Sequence, residues 1–310
     1  MLHLAVAAPS VDGVRASTGS LAERIAPTDD ATLVVHYTSE QAGKLGTCGC
    51  AQRPRGGIGR LHSYLLAARS AQPDTPQLLV HAGRWASDRM DATGDLRGDA
   101  RIANQAMLHA LDLVDISAAN ITWRDGPTFS TSNPPDWAIS ATLGPPTQSS
   151  ARIHTAGDLR IAIIGASPSL AQWMQPDGWQ GLDPVVAVGQ AVTAVVDEVD
   201  LIIVLAFGTG RDTETLARIP GVDVLVEAGD FTGREAPWTD EDTVWVRSRS
   251  QGQSVGELRL WLDEEGRITT AIDRWIDLDD RIPEHRMQRR VARRAEREQT
   301  AWLRDNLDSR

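Results

Sequence analysis

Apolar runs of buried-strand length recur along this chain, separated by stretches with helical period. Ala31–Tyr37 (ATLVVHY), Gln77–His81 (QLLVH), Leu159–Ile164 (LRIAII), Leu201–Ala206 (LIIVLA) and Val222–Val226 are too short for buried helices and too uniformly apolar for half-exposed strands. A strand that is apolar on both sides must be covered on both faces, which points to a sheet carrying helices. The helices are supplied by Ile58–Ser70, with Ile58, Leu61, Leu65 and Leu66 on one face, and by Asp99–Leu113, Pro184–Glu198 and Asp212–Ile219. Thr243–Arg247 and Gly256–Leu262 alternate and close the sheet, and Asp263–Gly266 (DEEG) reads as a hairpin turn. The class is therefore α/β. With 310 residues, 41% of them hydrophobic, the chain can bury one large core or two modest ones.

The remaining segments are less periodic. Residues 1–30 form an extension with one short helix near Leu21–Ile25, Val114–Asn120 reads as a strand, and Pro127–Ser150 as a long surface connection with a strand at Asp136–Thr142. Residues 271–310 are a tail whose helix spans 283–304. Between Arg281 and Arg304 it carries eight arginines against three glutamates, on a chain of net charge −11. Met287, Val291 and Ala295 give an apolar stripe with Trp302 two turns on, enough to dock one side of the helix. A second reading makes this a partner-binding tail, in which Arg286, Arg290, Arg293, Arg297 and Trp302 reach an acidic protein or a lipid surface.

The acidic balance argues against a general nucleic-acid binder, because phosphate contacts need clustered cations. No run of about 18 apolar residues exists to span a membrane, and the first residues lack the basic start of a secretory signal. Cys48 and Cys50, one residue apart, cannot form an unstrained disulfide and do not satisfy tetrahedral zinc by themselves. They read as inert thiols, as a redox pair, or as half of a site completed by a partner chain. The simplest compartment is the cytoplasm, with peripheral attachment to a membrane complex.

The order of the blocks resembles the 5'-nucleotidase branch of the calcineurin-like metallophosphoesterases over roughly residues 31–270. VVHYTSEQAGKL is similar to the family's opening strand and Asp-x-His loop, GGIGRLHSYLLAAR to the Gly-Gly helix, and LLVHAGRW to the strand ending in Asp-Ala-Gly-Asp. LDLVDISAANITWRDGPTF resembles the Gly-Asn-His-Glu block or the Ala-Asn-Ile segment downstream of it. LRIAIIGAS, LIIVLAFGTG, PGVDVLVEAGDFTG and VWVRSRSQGQSVGELRLWLDEEGRI then follow in family order. The Cys-Gly-Cys ahead of Gly56 and Gly57 resembles a bacterial subgroup. The resemblance implies a four-layer α/β/β/α sandwich with two mixed sheets, and a periplasmic location as the alternative. Nothing in the chain reads as the family's base-recognising second domain.

The family's chemistry uses two divalent cations about 3.5–4 Å apart, held by carboxylates and imidazoles. Carried over position by position, the resemblance implies Ser39 in place of the first Asp, Gln41 in place of the first His, and Arg84 in place of the bridging Asp. Asn120 matches the family's Asn, but Ile121 and Thr122 follow it where His and Glu belong. Phe207 stands for the next His, and Gly229 and Phe231 for the final His-x-His. A phenyl ring cannot ligate, and a guanidinium stays protonated. Arg84 is therefore expected to pair with Glu40, Glu227 or Asp230, replacing metal charge with its own.

No cofactor is expected. GTGRDTET lacks the lysine of a phosphate-binding loop, and neither Gly-x-Gly-x-x-Gly nor Gly-x-Ser-x-Gly is present. The resulting expectation is a chain that is not an enzyme, a structural or binding subunit held by other protein subunits in a larger membrane-associated assembly. Two alternatives stand beside it. One is a phosphoesterase with a remodelled single-metal site built from Glu40, His81, Glu227 and Asp230. The other is a module that binds an anion or phosphate ligand through Arg84.

Overall fold

A computed structural model describes residues 20–25, 29–47, 54–130, 132–145, 148–168, 178–210, 212–229, 238–240 and 243–307. In chain order the elements are α1 (Leu21–Arg24), β1 (Leu33–Thr38), α2 (Ile58–Ala71), β2 (Gln77–His81), α3 (Gly98–Leu113), β3 (Ala118–Asn120), β4 (Ala138–Ile139), β5 (Leu143–Gly144), β6 (Ala151–Ala156) and β7 (Leu159–Ala166). They continue with β8 (Gln180–Gly181), α4 (Pro184–Val195), β9 (Leu201–Phe207), α5 (Asp212–Ala217), β10 (Val224–Ala228), β11 (Trp238–Asp240), β12 (Thr243–Arg247), β13 (Ser254–Leu262), β14 (Ile268–Asp277) and α6 (Arg286–Leu307).

The strands form two six-stranded mixed sheets, ordered β14-β13-β1-β2-β3-β4 and β11-β12-β10-β9-β7-β6. Within each, the apolar strands run parallel, and antiparallel partners close the edge: β13 and β14 on one sheet, β6 and β11 on the other. Period-two alternation assigns each strand residue to a layer. Leu33, Val35, Leu78 and Val80 of the first sheet meet Ile161, Ile203, Leu205 and Val224 of the second. On the first sheet's other face, Leu79 packs with Leu61, Tyr64, Leu65 and Met107 from α2 and α3. On the second sheet's other face, Ile202 and Val204 pack with Val188, Val192 and Leu216 from α4 and α5. The result is the four-layer α/β/β/α sandwich. Each of these fully buried side chains contributes about 1.5–3 kcal/mol over its exposed state.

One polar pair interrupts the inter-sheet core. Tyr37 Oη donates to Asp273 Oδ1 at 2.7 Å, and Gly256 makes room for the ring, since a Cβ there would lie 2.0 Å from Tyr37 Cζ. Burial pushes the Asp273 carboxyl up to about 7.

Three local expectations need correction. Val114–Asn120 is a strand only from Ala118, because Val114 caps α3 and Asp115 turns the chain at φ 56°. Asp136–Thr142 pairs only at Ala138–Ile139, and the edge strand Ala151–Ala156 lay unrecognised beyond it, its half-polar pattern being that of an edge. In the tail, Met287 is 45% exposed while Ala295 is 3% exposed. An i, i+4 row drifts about 40° per step around a helix, so a row centred on Ala295 has left the buried face by Met287. The docked face is instead Gln288, Val291, Ala292, Ala295, Gln299 and Trp302. Gln288 Nε2 donates to Ala110 O at 2.8 Å, and Gln299 Nε2 to Asp99 O at 2.9 Å. His285 stacks on His62 with ring centroids 3.9 Å apart, and Trp302 covers Gly98, where a Cβ would come within 2.2 Å of the indole nitrogen.

Candidate functional site at the strand C-termini

The loops that leave β1 and β2 run on side by side beyond the sheet. Ala82 N donates to Thr38 O at 2.8 Å, Glu40 N to Gly83 O at 3.0 Å, Ala42 N to Arg84 O at 2.9 Å and Gly43 N to Trp85 O at 2.8 Å. This ladder is kept by left-handed backbone at Glu40 (φ 58°), Ala42 (φ 50°) and Arg84 (φ 57°). Among the described residues only Asp115 and Gln251 share that conformation without being glycine, so the strain is concentrated here. Each such residue costs about 1–3 kcal/mol and persists only where its surroundings over-determine it.

Those surroundings are visible. Asp125, wholly buried, accepts from Arg84 N (3.0 Å), Ala86 N (2.8 Å), Thr122 N (2.9 Å) and Thr122 Oγ1 (2.6 Å). Burial pushes its carboxyl up to about 6 even against four donors that favour the anion. Asn104 of α3 clamps the far end of the loop, accepting from Ser87 N at 2.7 Å and donating to Ser87 O at 2.9 Å. The backbone of Arg84 is thereby fixed and its side chain directed outward. Its Nη1 lies 3.4 Å from Glu40 Oε1, its side chain is 32% exposed, and its Nε is buried with no partner among the described residues.

Arg84 opens into a cleft of about 720 Å³ between these loops and α6. Lys44, Arg84 and Arg89 line it from the loop side, and Arg289, Arg293 and Glu296 from the helix. Arg89 is held by Asp99 at 3.1 Å, and Asp88 by Arg124.

The other expected positions are taken up by the fold itself. Ser39 is buried, its Oγ 3.5 Å from Arg249 O, and Gln41 donates to Thr38 Oγ1 at 3.2 Å. His81 has both nitrogens committed. Nδ1 accepts from Gly83 N at 3.0 Å, so Nε2 carries the proton and donates to Gln41 Oε1, while burial pushes the ring down to about 3. Asn120 Nδ2 donates to the carbonyls of Ala82, Ala166 and Leu205 at 3.1, 2.9 and 3.1 Å, joining strand ends of both sheets. Ile121 and Thr122 are buried. Phe207, 4% exposed, closes over Gly83, whose added Cβ would lie 3.0 Å from its Cβ, and Gly229 approaches Gly208 closely enough that a Cβ would lie 3.0 Å from the amide nitrogen.

Glu227 is engaged by Arg247 at 2.9 Å and by Trp245 Nε1 at 3.2 Å. Arg286, Arg290 and Arg297 are exposed on the outer side of α6, and Arg293, also exposed, borders the cleft. Cys48, Cys50, Asp230 and Phe231 lie outside the described residues.

The described side chains do not fit a two-metal centre. Among them no three His, Cys, Asp or Glu gather into a group able to hold a metal ion, His81 has no free nitrogen, and Phe207 and Arg84 take the space. No step through such a centre follows from them. What the geometry supplies is a fixed cation lining a cleft, with a buried donor that has no partner among the described residues. Asp125, Asn104, Lys44 and Arg289 were not singled out from the sequence. Asp125-Gly126-Pro127 carries a turn signal, but nothing local tells that its carboxylate reaches back 41 residues to Arg84.

No protein-family model and no curated protein matches the sequence. Solved structures do match in fold. A 5'-nucleotidase precursor from Thermus thermophilus is 18% identical over 87% of this chain and 59% of its own, with TM-score 0.68. The sulfate thiohydrolase SoxB of the same organism, in complex with glycerol, is 16% identical over 91% of this chain and 62% of its own, with TM-score 0.66. The NAD nucleotidase NadN of Haemophilus influenzae is 14% identical over 87% and 60%, with TM-score 0.64.

These are metallophosphoesterase-type sandwiches, and this chain shares their fold while spanning about 60% of their length. The expectation that the chain is not an enzyme is corrected by this likeness, because the structures that share its fold are nucleotidases and a thiohydrolase. Among the described residues, no helix is long and apolar enough to cross a membrane.

Proposed function

We propose that this chain binds a phosphate- or sulfate-type oxyanion at the C-terminal strand ends, with Arg84 as the anchor. The observation that carries the reading is the Arg84 Nε, a buried guanidinium donor without a partner beside a single carboxylate 3.4 Å away. An arginine fork matches the planar acceptor geometry of such anions, and a charge-assisted bond there is worth roughly twice a neutral one. Reading Ser39, Gln41, Arg84 and Phe207 as replaced metal-ligand positions supports it further, since a guanidinium at that place favours an anion directly. The structural neighbours include nucleotidases and a sulfate thiohydrolase, names consistent with this reading. In this reading the binding domain begins at residue 31 and runs to the end of β14 at Asp277 rather than to 270, 1–30 precede it, and α6 of the tail supplies the helical wall of the cleft. Calorimetric titration with inorganic phosphate tests it. Arg84→Gly, which relieves the backbone, should abolish measurable binding, and unchanged affinity would refute the assignment.

A second reading concerns the tail. Arg286, Arg290 and Arg297 lie within about 40° of one line along α6, opposite its docked face, with Arg293 between that row and the cleft, and none of the four has a carboxylate within 4.0 Å among the described residues. Such a row suits an acidic protein segment of the assembly expected from the sequence. The triple variant Arg286→Glu, Arg290→Glu, Arg297→Glu should lose co-purifying protein while retaining its melting temperature. Retention of the same partners would end this reading.

A further inference from the structure

We infer that the ligand carries two separate phosphate-type groups, one taken by Arg84 and the loop wall, the other by Arg289 and Arg293 on α6. This rests on the anion reading of the cleft and specifies its ligand. The argument begins with where the uncompensated charge lies. On the loop wall Arg89 shares the Asp99 carboxylate with Arg97 and Asp88 pairs with Arg124, leaving Arg84, shared with Glu40, and Lys44, which is exposed and is the chain's only lysine. On the facing wall Arg289 and Arg293 are one turn apart and line the same cleft beside Glu284 and Glu296, and neither arginine has a carboxylate within 4.0 Å among the described residues. Cations on two opposed walls are served by one ligand only if its anionic groups face both ways.

Space agrees with charge. A cleft of about 720 Å³ lies in the range of small-molecule sites and is far larger than one phosphate needs. The helix wall between its arginines and the core is Ala292 and Ala295, small side chains that leave room for the ligand's body. The helix is itself anchored independently of any ligand, by Gln288, Gln299 and Trp302 on α2 and α3. The second wall is therefore pre-formed. A ligand that spans both walls also ties α6 to the body, so its binding energy adds to the docking of the tail.

The test uses the full chain, calorimetry, and three probes: inorganic phosphate, inorganic diphosphate and fructose 1,6-bisphosphate. At least one two-group probe should bind tenfold or more tightly than phosphate. Arg289→Ala/Arg293→Ala, both exposed positions, should remove that advantage, whereas Arg84→Gly should weaken every probe. Because Lys44 is the single lysine, its acylation followed by mass spectrometry gives a second readout: the two-group probe should protect it in the parent chain and not in the double variant. Equal affinity for all three probes, or a double variant that keeps the advantage, overturns the two-group inference while phosphate binding through Arg84 stands. If phosphate and both bisphosphates fail to bind the parent chain, the anion reading falls with it.

Discussion

Arg84 is a residue whose backbone and side chain answer to different demands. Its left-handed φ is imposed by Asp125 and by the paired loops, and it opposes stability. Arg84→Gly should therefore raise the unfolding free energy by about 1 kcal/mol while removing anion binding, a combination that urea denaturation and titration would expose together. A fall in stability would mean that the pair with Glu40 outweighs the strain.

Buried titrating groups make a second residue-scale prediction. The Asp273 carboxyl is pushed up to about 7 by burial, so the folded state holds its proton more tightly than the unfolded chain does. Its contribution to stability is fullest below about pH 4 and is lost as pH rises through 7. His81, pushed down to about 3, acts in the other direction: its contribution is complete above about pH 6.5 and declines as pH falls below that value. Asp273→Asn keeps an acceptor for Tyr37 and removes only the first effect. Relative to the parent it should gain roughly 2 kcal/mol on going from pH 5 to pH 8, read from urea midpoints. A constant difference across that range would show that Asp273 does not titrate there.

Among the elements, α6 shows how a periodic pattern can be right in kind and wrong in phase. Its buried side is real, yet Met287 faces water while two glutamines lie inside. Glutamine at a docked position is legible only once the free carbonyls of Ala110 and Asp99 are known to lie opposite. Trp302→Ala should cost about 1–2 kcal/mol and raise amide exchange in the last two turns of the helix. Gly98→Val should do the same from the other side, because its side chain must displace the indole. Met287→Ser should stay within about 0.5 kcal/mol of the parent. Protection of the last two turns left unchanged in both of the first two variants would show that the helix is held elsewhere. The short strands β5 and β8 escaped the sequence for a related reason. Two residues carry no period, and only neighbouring strands define them.

At the scale of the whole molecule, Asn120 joins what the layers separate. Its one amide group serves carbonyls from β7, β9 and the residue just past β2, at the point where the two sheets come together. Asn120→Ala leaves those carbonyls buried and unpaired and should cost about 2–3 kcal/mol, with anion affinity unchanged in whatever fraction remains folded. Loss of binding without loss of stability would instead make Asn120 part of the site. The chain by itself determined the layer architecture: uniformly apolar strands have to be covered on both faces, and alternating ones close the edges, whatever their neighbours. It also determined which residues stand at the strand ends, because each block carries its own strand and the loop behind it. What only the tertiary structure decided is how those loops meet. Asp125 reaching Arg84, Phe207 closing over Gly83, and Arg289 facing Lys44 across a cleft join residues 41, 124 and 245 positions apart. No local propensity encodes such pairings, since hydrogen bonding, ring packing and charge act through space and take their partners from wherever the packed sheets bring them.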